Sequence, residues 1–253
     1  MHPLRRRLTR ILLPLALLAA TFAAFEFTEF DLWLQDHFYN WERNAWAVDK
    51  NAVLPRLLFY TGPKALLIVL GGYLLLGLLA PARNRPRWLI LPWPVRKAWL
   101  VAITLAVVPA SIAIMKARSD IYTPATLARY HGGKPYHHVF DPLPSGWPPN
   151  RGHGFPAGHA SGGFALMSLF HAFSERRWRW AGLACGLVSG WAMGLYQMLK
   201  GAHFLSHTIV TMLIAWLVIE VLAIILKVNS SEIPRPTGTR SSCDTKRPIP
   251  ANG

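Results

Sequence analysis

Six apolar stretches, 11–27, 57–79, 99–115, 160–173, 181–199 and 203–226, constrain this chain more than any other feature. A helix crossing roughly 30 Å of hydrocarbon needs about twenty mostly apolar residues. A chain of 253 residues with 52% apolar content, 15% charge and eleven tryptophans does not describe a soluble globule. The stretch 160–173 is short and glycine-rich, but Phe155-Pro156-Ala157-Gly158-His159 precedes it and Glu175-Arg176-Arg177 follows it, so its ends are fixed. Counting it as a span gives an all-α fold, a six-span transmembrane helical bundle.

The formal charge of +15 carries meaning only through its placement. Arg5, Arg6, Arg7 and Arg10 precede the first span, and Arg83, Arg85, Arg87, Arg96 and Lys97 follow the second. Arg176, Arg177 and Arg179 follow the fourth, and Lys227, Arg235, Arg240, Lys246 and Arg247 follow the sixth. The positive-inside rule makes all four clusters cytoplasmic, with both termini inside. This accounts for the arginines and leaves nucleic acid without support as a partner. The opposite face receives Glu26, Glu29, Asp31, Asp36, Glu42, Asp49, Asp120 and Asp141, with eight of the ten histidines. The first apolar run is long for a signal-peptide core and lacks a clean cleavage site, so it reads as a retained anchor. Cys185 falls inside a span and Cys243 in the carboxy-terminal segment, so the two do not pair. Residues 1–227 form the membrane domain, and 228–253, rich in Ser, Pro and Arg, a disordered cytoplasmic tail.

Chemistry belongs to the outward loops. The segment 26–56 alternates aromatic and acidic residues, the pattern of a helix lying in the membrane interface. The segment 116–155 is long, rich in Pro and Gly, and tied to a span at each end, which favours a functional loop. Ionisable groups near hydrocarbon are expensive and mark sites. His159 opens the fourth span, and His203 and His207 open the sixth, on the same face. An i, i+4 histidine pair also suits a metal, but no third ligand stands at a defined spacing. Glu220, near the inner end of the last span, is expected to snorkel to the interface, and His171 to be structural.

These residues resemble the type 2 phosphatidic acid phosphatases (PAP2), a six-helix membrane superfamily related to vanadium haloperoxidases. The family pattern is Lys, six residues, Arg-Pro; then Pro-Ser-Gly-His; then Ser-Arg, five residues, His, three residues, Asp. It falls here on Lys116 with Thr123-Pro124, on Pro156-Ala157-Gly158-His159, and on Tyr196-Gln197 with His203 and His207. The resemblance implies a periplasmic-side active site in which His203 is the nucleophile that becomes phosphohistidine. It makes His159 the general acid and base, and has Lys116 and the Gly158 amide hold the phosphate. Thr123, Ala157, Tyr196, Gln197 and His207 depart from the pattern. Arg118, Arg151 and Lys200 are the cations available to replace the missing arginines, and His207 takes the place of the orienting carboxylate. The chemistry implied needs no metal and no cofactor. The expected function is a lipid-phosphate phosphatase or phosphotransferase of a bacterial inner membrane, acting on phosphatidate-, polyprenyl-diphosphate- or lipid A-type phosphate. The alternatives are an impaired family member that binds lipid phosphate or a partner protein, and a histidine-lined metal or proton transporter.

Overall fold

The structure, a computed structural model, describes residues 3–81, 83, 86–142, 146 and 151–228. The tail expected to be disordered therefore lies outside the described residues from 229 onward, and Cys243 with it. The molecule is mostly helical. Helix α1 (Pro3–Glu26) leads to a short α2 (Phe30–Asp36), a two-residue hairpin of β1 (Tyr39–Asn40) and β2 (Ala45–Trp46), and α3 (Val53–Arg56). The last runs through a π-turn, Leu57–Thr61, into α4 (Gly62–Leu79). Then come α5 (Val95–Ala117), α6 (Gly158–Ala165), α7 (Leu169–Ala172), α8 (Arg176–Leu199) and α9 (Leu205–Ile225).

Four segments are long and apolar enough to cross a membrane: Leu8–Glu26, Val53–Leu79, Val95–Ala117 and Leu205–Ile225. The stretch 160–173 is not one helix, because a 3-10 turn, Leu166–Ser168, divides α6 from α7. Helix α8 has the length to span but begins Arg176-Arg177-Trp178-Arg179, which dilutes its hydropathy. Helices α6 and α7 pack among α5, α8 and α9, and their core residues Ala160, Phe164, Ala165 and Met167 join Val108, Ala215 and Ile219 in one cluster.

Small residues set the closeness of that packing. Without a hydrophobic drive between helices in lipid, close backbone approach is the main attraction available. A Cβ on Gly163 would stand 2.6 Å from the Gly190 amide, and one on Gly186 2.3 Å from the Met167 nitrogen. Helix α8 thus rests backbone to backbone on the α6–α7 pair.

The first loop differs from its sequence reading. Helix α2 keeps Phe30 and Trp33 exposed, as a helix lying in the interface would, but turns Asp31, Leu32 and Gln35 inward, and the hairpin packs Tyr39 and Trp46 against Tyr130. Glu220 differs too. It is 5% exposed and stays within the bundle, where it accepts from Arg10 of α1 and lies 3.1 Å from His171 Nε2 of α7. Helices α1, α7 and α9 are thereby tied together at the end opposite α2, because burying a carboxylate demands partners.

Gly186→Val should destabilise the bundle by at least about 1–3 kcal/mol, the usual penalty of forcing volume into a packed core. Thermal unfolding in detergent checks this, and an unchanged melting temperature would show that α8 does not rest on Met167.

Candidate active site

His203 occupies the turn between α8 and α9, one residue before the cap at Phe204, and is 1% exposed. Its Nδ1 lies 2.9 Å from the Gly154 carbonyl oxygen. A carbonyl only accepts, so Nδ1 carries the hydrogen, and in the neutral ring Nε2 keeps its lone pair. His207, one helical turn on, places its Nδ1 3.5 Å from His203 Nδ1, a longer contact than the one to Gly154.

His159 is the second residue of α6, and its ring centroid stands 5.9 Å from that of His203. Its Nδ1 is buried with no hydrogen-bond partner among the described residues. The first amides of α6 are not capped by a side chain, so Gly158 and His159 present free N–H groups to this space. Lys116, from the last turn of α5, runs beside Gly158, its Cδ 3.8 Å from where a Cβ would be. Lys116, Lys200 and Lys64 all act electrostatically on His159. Lys200 holds its Nζ 4.8 Å from the Tyr196 ring and 5.6 Å from that of Tyr60, and Tyr60 in turn packs on His159 at 4.8 Å.

The structure therefore brings together Lys116, Gly158, His159, Lys200, His203 and His207. Arg151 goes elsewhere: it donates to the Arg118 carbonyl at 2.9 Å and sits 3.6 Å from Asp120, both contacts in the 116–155 loop, and among the described residues the Arg118 side chain shows no contact with this group. Gln197 is fully buried, and neither its amide nitrogen nor its oxygen has a partner among the described residues. Such an orphan is unusual in a folded core.

The turn bearing His203 is held from outside the bundle. Asp31 of α2 accepts from the Ser206 amide at 2.9 Å and from the Ser206 hydroxyl. One helical turn along, Gln35 donates to the Met198 carbonyl at 2.8 Å. The same short helix thus grips the end of α8 and the start of α9, whose N-cap has no side-chain hydrogen bond of its own. Between them, the Val48 amide donates to Leu199 O and the Ala125 amide to Gly201 O. Gly201 has φ +72°, and a Cβ there would meet the Trp46 ring at 2.3 Å, so only glycine turns the chain here. Sequence reasoning missed Asp31, Gln35, Tyr60, Lys64 and the Gly154 carbonyl. The visible signal for the first two was an Asp and a Gln four residues apart, one helical turn, on a short helix rich in apolar residues.

A family model described as the PAP2 superfamily matches residues 97–230, the region that holds Lys116, His159 and His203. The chain belongs to the PAP2 superfamily. PAP2 proteins are generally phosphatases, so membership supports phosphatase activity on phosphate esters. No curated protein and no solved structure matches the chain.

Burial, opposed by the Ser206 hydrogen bonds, raises the Asp31 pKa from 3.8 to about 6. The folded protein then holds a proton that the unfolded chain has already released between those values, so this group's contribution to stability falls as pH rises through that window. Asp31→Asn keeps an acceptor for the Ser206 amide without the charge. Its melting temperature should fall less than that of the wild type between about pH 4 and about pH 7, and parallel curves would remove Asp31 as a buried titrating cap.

Proposed function

We propose that the protein is a membrane lipid-phosphate phosphatase or phosphotransferase acting through a phosphohistidine on His203, on phosphatidate-, polyprenyl-diphosphate- or lipid A-type phosphate. The observation that carries this reading is the tautomer dictated at His203, with Nδ1–H on Gly154 O, which leaves the lone pair on Nε2 of a ring 5.9 Å from that of His159. In the first step His159, protonated once the bound phosphate anion offsets the surrounding lysines, gives its proton to the leaving oxygen as Nε2 forms a bond to phosphorus and the ester P–O bond breaks. In the second, His159 takes a proton from water, the new P–O bond forms, and the P–N bond breaks; an alcohol in place of water makes the reaction a transfer. Lys116, Lys200 and the α6 amides stabilise the equatorial oxygens, and the unpaired Gln197 amide supplies a neutral donor where the family pattern has arginine. Arg118 and Arg151 remain in the outer loop as long-range positive charge.

The same reading places six spans in the membrane, adding α8 and the α6–α7 pair to the four apolar helices. Shielding of α6 and α7 by α5, α8 and α9 supports this, because a helix that meets little lipid needs little lipophilicity. With the basic clusters inside, the site opens on the periplasmic side of a bacterial inner membrane, and both termini are cytoplasmic.

A second reading, a catalytically impaired member that binds lipid phosphate or a partner protein, is favoured by one observation, the absence of charge at Gln197. Phosphate release and phosphoenzyme trapping separate the two. The wild type should form an acid-labile phosphoenzyme that His203→Ala abolishes, while His159→Ala slows turnover by about 10² to 10⁴. An undiminished rate in either variant would take that residue out of the mechanism.

Gln197→Arg should raise turnover, since a guanidinium fork there strengthens in the transition state. Lys200→Ala should cost less in that background than in the wild type, because the two cations share one phosphate. A double-mutant cycle measures this, and strictly additive effects would place Lys200 outside the phosphate site.

A further inference from the structure

A cavity of about 700 Å³ opens directly off the site, between α4, α5 and α6, and touches α8 at Met193. Its size falls within the usual range for small-molecule sites. Gly158, His159, Tyr60 and Lys64 line its mouth, and it continues along α4 past Gly71 and Gly72 to Leu75. The stretch of α4 from Lys64 to Leu75 covers about 16 Å at the helical rise, more than half the hydrocarbon thickness of a bilayer. Polar groups are confined to the end nearest the site; beyond it the walls are Leu67, Ile68, Ala102, Leu105 and Ala106. Ile68 and Leu75 are 64% and 43% exposed, so the rim of this groove faces the surroundings of the bundle sideways.

Gly71 and Gly72 are the unusual part of the wall. Gly163 of α6 and Gly186 of α8 are needed for contact, as the 2.6 Å and 2.3 Å approaches there record. At Gly71 and Gly72 an added Cβ would meet nothing within 4 Å. Adjacent glycines inside a helix forgo roughly 1 kcal/mol each relative to alanine, and here no neighbouring helix recovers it. What their missing side chains leave is open volume at mid-depth of the groove.

We infer that this groove takes an extended hydrocarbon tail of the phosphate ester whose head lies at His159 and the lysines, and that Gly71 and Gly72 set the length of tail accepted. The inference rests on the proposed function above and goes further, because it makes tail length a specificity determinant written in α4. The occupant follows from the cavity's own polarity: cations at one end, hydrocarbon along the rest, and a rim open to the bilayer from which such a molecule would enter. Each methylene buried adds to binding, so a long tail gains what a short one cannot reach.

The test uses the full-length protein in detergent, with octadecyl phosphate and butyl phosphate as probes, and reads both the shift in melting temperature and phosphate release. Octadecyl phosphate should stabilise the wild type, and Gly71→Phe and Gly72→Phe should lose that shift, while Gly71→Ala, which adds only a methyl into open space, retains most of it. In turnover, the phenylalanine variants should lose at least tenfold more kcat/KM on octadecyl phosphate than on butyl phosphate, as expected when several methylenes are displaced. Equal losses on both probes, or none on either, would overturn the tail groove. Stabilisation by octadecanol equal to that by octadecyl phosphate would also overturn it, since the groove would then be holding ambient lipid. Tail-dependent stabilisation that the phenylalanine variants abolish, in a protein that releases no phosphate, would uphold the groove and remove the phosphatase reading instead.

Discussion

The turn that carries His203 is the constraint on which the rest of the structure depends. A histidine that attacks phosphorus must present one nitrogen and hide the other, and the Gly154 carbonyl does this from a loop 49 residues away in sequence. The turn supports itself at one end only: the Gly201 and Ala202 amides close α8 on the Met198 and Gln197 carbonyls, whereas α9 starts without a capping side chain. The rest of its rigidity is imported. Asp31 and Gln35 hold its two ends, Trp46 packs on its glycine, and the second loop donates to it through Ala125. Small displacements of a reacting group are costly in rate, so a region that looks peripheral in sequence carries the geometry of the centre.

The bundle beneath the turn follows from what a membrane permits. Lipid offers no hydrophobic drive for helix association, so the inner helices meet through glycine and are allowed to break: α6 gives way to a 3-10 turn and then α7 where α8 covers them. The buried carboxylate of the opposite end, Glu220, is satisfied within the bundle between Arg10 and His171. At the site end the excess is positive, with Lys64, Lys116 and Lys200 acting on one imidazole and no carboxylate acting on it among the described residues. An arrangement of that kind is electrostatically incomplete until an anion arrives, which is the property expected of a phosphate site.

Helix positions were legible in the sequence because long apolar runs have no other use in a chain of this composition, and α1, α4, α5 and α9 follow them closely. The meeting of Lys116, Gly158, His159, Lys200 and His203 was legible from motif spacing, since each stands at a helix end on one face. What the sequence hid is of two kinds. The Gly154 carbonyl is backbone, and no residue type announces an acceptor. Asp31 acts on Ser206 across 175 positions, and its neighbours Phe30 and Trp33 gave the loop the composition of an interfacial belt, which concealed its inward turn. Glu220 was misjudged for the same reason, because its partners lie on two other helices. Arg118 and Arg151 were offered as phosphate ligands on proximity in sequence alone, whereas Arg151 is engaged by Asp120 and by the Arg118 carbonyl.

The claim at the centre of this account is that His203 stands ready as a neutral imidazole with its hydrogen on Nδ1. Nitrogen NMR of protein labelled at histidine, with the His203 resonances assigned by their loss in His203→Ala, reads that state directly. The account predicts a neutral ring at neutral pH, Nδ1 with the shift of a protonated nitrogen and Nε2 with that of a free lone pair. An imidazolium, or a hydrogen on Nε2, would contradict it.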